Sequence, residues 1–73
     1  MYLRQLTHLM AVADYGSFSA AARSLHTVQS NVSTHVAKLE KELGAVLLDR
    51  RTLQPTPEGE AVLERARRIE AEI

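Results

Sequence analysis

The residues from Gln29 to Lys38 are the ones whose types and spacing point to chemistry. Gln29, Ser30, Asn31, Ser33 and Thr34 carry short hydrogen-bonding side chains, and Lys38 follows one helical turn later. No carboxylate occurs between Tyr15 and Leu39, so this stretch offers donors and acceptors without an anion among them. On a helix, such a face fits base edges in a major groove, where Gln and Asn can pair bidentately with adenine. A carboxylate there would be repelled by phosphate. Arg50 and Arg51 form a second basic point. Taken alone, a polar helix face is more often only solvated, so the surrounding elements must decide. Asn31 lies between the outward and inward stripes, and contact with DNA and a plain surface role stand level for it. Lys38 suits a phosphate anchor. Arg23 reads as a surface cation or an anchor, and Arg4 could reach a nucleic-acid backbone.

Other chemistries find no support. There is no cysteine, hence no disulfide framework and no thiolate metal site. His8, His26 and His35 lack metal-ligand spacing and read as structural, with His35 packed beside a core stripe. No nucleophile–base pair and no phosphate loop occur, so no enzyme, metal or cofactor is expected. Ser17, Ser19, Ser30 and Ser33 are accounted for as caps and contacts.

These residues need a scaffold, and 73 residues suffice for one small domain. A 45% hydrophobic and 25% charged composition fits a folded domain rather than a disordered chain. The net charge is zero, which by itself argues weakly against nucleic acid, but the acids gather at the far end: Glu58, Glu60, Glu64, Glu70 and Glu72. No apolar run approaches the roughly 20 residues of a membrane span. The N-terminal stretch carries Asp14 and lacks a signal-peptide pattern, so a cytoplasmic location without membrane contact is expected.

The period predicts four helices. Leu3, Leu6, Met10 and Ala13 share one face, widened by Leu9 and Val12, and Gly16 stops that helix. Ser19 is expected to cap a short second helix built on Ala20, Ala21 and Ala22, with Phe18 as its staple residue. After a turn at His26-Thr27, Val28, Val32, Val36, Leu39 and Leu43 form a single apolar stripe ended by Gly44. Glu40 and Glu42 sit late in this helix, where the dipole slightly disfavours them. Ala45–Leu48 and Leu53–Pro55 predict a small hairpin or extended loop, with Pro55 at its edge. Thr56 caps the last helix and Pro57 takes its first position. Val62, Ala66, Ile69 and Ile73 then form a heptad-like seam, either core or intersubunit contact.

The order is that of a mainly all-α winged helix-turn-helix: a three-helix core, a short β-hairpin wing and a C-terminal helix. Leu3-Arg4-Gln5-Leu6, Gly16 to Ala22, Leu25-His26, Gln29-Ser30, Val32-Ser33, Leu39-Glu40, Glu42-Leu43-Gly44, Leu47, Arg50, Thr56 and Glu58-Gly59 resemble the N-terminal DNA-binding domain of LysR-type transcriptional regulators. The resemblance implies a DNA-binding domain over 1–56 and the start of a linker helix over 57–73. It also implies a homodimer through that helix on double-stranded DNA, and a further domain, absent from this chain, that takes a small-molecule effector. Carried over by position, Gln29, Ser30, Ser33 and Thr34 become contacts to bases and phosphates. Arg51 becomes the candidate for minor-groove insertion. The family often has Arg where Thr34 stands, Pro where Ser30 stands and Ser where Val28 stands; here Thr27 is expected to cap instead. The loop after Arg50 is shorter than the family's usual wing. With the zero net charge, these departures motivate a competing reading, a protein-interaction module that keeps the fold without the DNA.

Overall fold

Helices α1 (Leu3–Tyr15), α2 (Phe18–Ser24), α3 (Gln29–Leu43) and α4 (Pro57–Glu72) make up the computed structural model, which describes residues 2–72. Local chemistry sets their ends. Gln5 Oε1 reaches back to the Tyr2 N–H at 3.2 Å and satisfies a free donor at the start of α1. Gly16 ends it with φ 75°, donating to the Val12 carbonyl at 2.8 Å. The cap of α2 is Ser17, not the expected Ser19: its Oγ accepts from the Ala20 N–H at 3.0 Å, and Ser19 already lies inside the helix. Gly44 closes α3 with φ 66°.

The core is the meeting of α1, α2 and α3, with α4 laid against α1. Leu6, Leu9, Met10 and Val12 are buried as expected, whereas Leu3 in the first turn is exposed and Ala13 only partly covered. Ala21 and Ala22 are buried, and their small size lets α2 approach its neighbours closely. In α3 the stripe narrows to Val32, Val36 and Leu39, all wholly buried. Val28 is 64% exposed because it is the N-cap residue, with extended backbone (φ −100°, ψ 154°) that takes its side chain off the helical phase. Leu43 is also exposed, at the rim of a groove beside α4.

After α3, Leu47 and Leu48 turn fully inward. The expected β-hairpin is reduced to one antiparallel bridge, Leu48 with Pro55. Flanking bonds run from the Asp49 N–H to the Gln54 carbonyl (2.9 Å) and from the Thr56 N–H to the Leu47 carbonyl (3.0 Å). Pro55 has no N–H to extend the ladder, and Leu53 takes φ 59°, which bends the return strand away from extended geometry. Asp49 Oδ1 accepts from the N–H groups of Arg51 and Thr52, folding the tip as an Asx turn.

Thr56 joins this loop to α4. Its hydroxyl accepts from the Gly59 N–H at 3.0 Å and donates to the Val46 carbonyl. On α4 the buried positions are Gly59, Leu63 and Ala66. Of the expected seam, Ala66 is buried, Val62 is half-buried and Ile69 is 44% exposed; Leu63, outside the seam, is also buried. Ile73 lies outside the described residues. Arg67, exposed on α4, pairs with Asp14 of α1 at 2.8 Å.

Candidate nucleic-acid interface

The turn from α2 into α3 fixes the outward face. The His26 N–H donates to the Arg23 carbonyl, and the Thr27 N–H to the Ala22 carbonyl at 2.9 Å. His26 takes φ 57°, the left-handed conformation that a glycine often supplies in such turns. Thr27 does not cap α3, whose N-cap is Val28 with no side-chain cap bond. Its Oγ1 instead accepts from Asn31 Nδ2 at 2.9 Å, so Asn31 is half-buried and tied back to the turn.

Gln29, Ser30, Ser33, Thr34 and Lys38 are all exposed, and the same helix buries Val32, Val36 and Leu39 completely. Among the described residues, nothing covers these five polar side chains. Thr34 Oγ1 donates to the Ser30 carbonyl at 2.9 Å, which fixes its rotamer.

The two arginines of the wing differ. Arg50 is bound into the fold: its guanidinium meets Glu40 Oε1 at 2.5 Å and Oε2 at 3.2 Å, and the Leu48 carbonyl at 3.0 Å. Its Cζ stands 5.9 Å from the centre of the Phe18 ring. Arg51 is exposed and forms no ion pair among the described residues. Glu40 is the residue that sequence reasoning undervalued. Besides holding Arg50, its Oε2 accepts from the Leu47 N–H at 2.8 Å and the Leu48 N–H at 3.3 Å. The signal was present as the Leu39-Glu40 pair within the family pattern, but helix-dipole reasoning gave it no partner.

A second feature escaped the sequence because it joins two helices. The rings of His8 of α1 and His35 of α3 meet with centres 4.3 Å apart, tilted by 41°. His8 Nδ1 lies 2.6 Å from the Arg4 carbonyl and so carries the proton of that bond. His8 Nε2 and His35 Nδ1 are buried without hydrogen-bond partners among the described residues. Burial lowers the pKa of His35 from its ordinary 6.5, and the charges of His8, Arg4 and Lys38 lower it further. A base whose folded-state pKa is depressed binds its proton more readily when unfolded. Stability from this site is thus complete above about pH 6.5 and falls as pH drops below it. Urea midpoints at pH 7.5 and 5.5 should differ more for the native chain than for His35→Gln; equal differences would contradict this.

The family described as "Bacterial regulatory helix-turn-helix protein, lysR family" matches residues 3–60. The HTH-type transcriptional regulator TcbR of Pseudomonas sp. (strain P51) is 45% identical over 71 residues, covering 94% of this chain and 24% of that protein. The probable HTH-type transcriptional regulator LrrA of Synechococcus elongatus (strain ATCC 33912 / PCC 7942 / FACHB-805) is 49% identical over 71 residues, with the same coverage of 94% and 24%. The chain thus spans about a quarter of the length of these regulators. Among solved structures, the BenM DNA-binding domain bound to benA site 1 DNA superposes with a TM-score of 0.94 at 36% identity, covering 99% of this chain and 83% of that one. The CbnR DNA-binding domain–DNA complex gives 0.90 at 42% identity, covering 97% and 84%.

Proposed function

The chain belongs to the lysR family of bacterial regulatory helix-turn-helix proteins and carries that family's DNA-binding domain, and from this premise we propose a sequence-specific mode of binding to double-stranded DNA. Residues 1–56 act as a winged helix-turn-helix and 57–73 begin a linker helix. Gln29, Ser30, Ser33 and Thr34 enter the major groove from α3, with Asn31 at the edge of that face and tied back to Thr27, while Lys38 contacts the phosphate backbone, Arg51 enters the minor groove and Arg50, paired with Glu40, holds in place the wing that carries Arg51. One observation carries this: a carboxylate-free polar face, exposed at Gln29, Ser30, Ser33 and Thr34, backed by a wholly buried stripe that holds it rigid. The DNA complexes of the BenM and CbnR domains support a duplex as the ligand.

Gln29→Ala should weaken binding by roughly 1–3 kcal/mol and relax preference at one base position. Lys38→Ala and Arg51→Ala should weaken binding to all sequences alike and each reduce the salt slope by about one. Selection from random duplexes, read at two salt concentrations, measures both effects. If all three variants bind as the native chain does, the assignment of α3 is wrong.

The apolar groove of Leu6, Leu43, Val62, Ala66 and Ile69, with Arg65 at its edge, supports a homodimer through α4. Two-fold pairing places two copies of α3 on an inverted repeat. Sedimentation at rising concentration, with and without duplex, tests it; a monomer throughout removes the dimer. In the longer regulator, a further domain binds a small-molecule effector. The setting is cytoplasmic; among the described residues, no helix is long and apolar enough to cross a membrane.

A further inference from the structure

Beside the exposed face of α3 lies a second group of cations. A notch of about 400 Å³ opens between the first turn of α1 and the middle of α3, lined by Tyr2, Arg4, Gln5, His35 and Lys38. None of these lining residues is a carboxylate. Arg4 and Lys38 are both exposed, and neither forms an ion pair among the described residues. Two positive charges thus border one cavity with no ion-pair partner among the described residues. Lys38 stands one turn beyond Thr34, so the notch continues the face assigned to the duplex, and its role rests on that DNA-binding reading.

We infer that the notch seats a phosphodiester of the bound duplex and that its occupation is coupled to uptake of a proton by His35. A phosphodiester carries one negative charge, which Arg4 and Lys38 can both approach, with the Tyr2 hydroxyl as a further donor. The groups acting on His35 are His8 and Arg4 from α1 and Lys38 from its own helix, and every one of them opposes its protonation. Among the described residues, no carboxylate is among the groups acting on His35. A phosphate between Arg4 and Lys38 offsets their charges at the imidazole and so restores its affinity for a proton. The buried, unpartnered Nδ1 of His35 leaves a nitrogen free to receive it. By reciprocity, a protonated His35 binds the phosphate more tightly. His26, exposed on the turn, has no such pairing and serves as the control.

The test is calorimetry of the chain with a duplex enriched from random sequences, between pH 5.5 and 8, in buffers of different ionisation heats. Near pH 6, the native chain should take up protons on binding, and its affinity should rise as pH falls by up to about tenfold per pH unit for one linked proton. His35→Gln should lose that uptake and flatten the profile while still binding at pH 8; His26→Gln should keep the uptake. Arg4→Ala should lower the salt slope by about one and shrink the uptake. Histidine ring resonances of the native chain decide the matter should His35→Gln fail to fold: His35 should titrate at higher pH when the duplex is bound. An unchanged His35 titration, or native proton uptake in His35→Gln, overturns the inference. So does a His35 shift produced by inorganic phosphate alone and not by the duplex, which would mark a free-anion site. Absence of any duplex binding at low salt would instead sink the DNA-binding reading itself.

Discussion

Glu40→Ala should destabilise the domain by about 3 kcal/mol, a large share of the 5–15 kcal/mol that holds a typical domain together. The carboxylate is only 15% exposed and serves three partners in the loop that follows α3. Two are the N–H groups of Leu47 and Leu48, both wholly buried residues. Hydrogen bonds to an ionised acceptor contribute about 1.5–3 kcal/mol, and a buried donor left without a partner costs about 1–3 kcal/mol. The Arg50 contact adds less, because that guanidinium is nearly half exposed and water screens the pair. Glu40→Gln keeps one acceptor oxygen and should lose about half as much. Guanidinium unfolding followed by circular dichroism gives both values. A loss below about 1 kcal/mol for Glu40→Ala would mean that the loop is held by its apolar residues alone. The loop also carries Arg51, so Glu40→Ala should reduce duplex affinity at low salt even at temperatures where the helices remain folded.

Gly59→Ala is the second case, and here two physical effects give opposite signs. Helix propensity favours alanine over glycine by about 1 kcal/mol in a helix interior. Packing forbids it: a Cβ at this position would stand 2.0 Å from the Leu47 oxygen, 2.9 Å from its carbonyl carbon and 3.3 Å from its Cα. These are backbone atoms, and the Leu47 carbonyl is already held by the Thr56 N–H at 3.0 Å. The backbone cannot swing aside as a flexible side chain would. Overpacking of this kind costs roughly 1–3 kcal/mol and sometimes more, so the net result should be a loss of about 2 kcal/mol or more. Thermal unfolding checks the sign, and a variant more stable than the native chain would show that α4 does not sit on Leu47 as described. Gly16→Ala makes a useful contrast. A Cβ there meets nothing within 4 Å, so only the left-handed backbone penalty, about 1–2 kcal/mol, remains.

Arg50 and Arg51 show why adjacent residues of the same type need not share a task. Both sit at the end of the inward turn of Leu47 and Leu48. One guanidinium folds back to Glu40 and Leu48, and the other is left in solvent. Nothing in the pair's spacing distinguishes them, since the choice depends on where α3 has already placed a carboxylate.

The helices themselves were legible in the residues because their causes are local. A 3.6-residue apolar period, a glycine where the chain must turn left-handed and a threonine-proline start act within a few positions of each other, which is why α1, α3 and α4 lie close to where the residues predict them. The polar face of α3 was legible for the same reason. Its direction follows from which positions between Val32 and Leu39 are apolar. The pattern misleads where an end effect overrides the period, as at Val28, whose extended backbone removes it from the stripe. The heptad spacing on α4 likewise fixed a periodicity but not which side of the helix meets α1, so Leu63 was overlooked.

The tertiary structure alone decided the contacts between helices. Whether Glu40 is a mild liability or the anchor of the wing depends on Leu47 and Leu48 returning beneath it. Whether His8 and His35 are two bland histidines or one pair of meeting rings depends on α1 crossing α3 at those turns. Whether Gly59 is a weak link or a required gap depends on a backbone atom twelve positions earlier in the chain. Each joins residues that share no local period, and short-range forces carry no record of such a meeting until the core has closed.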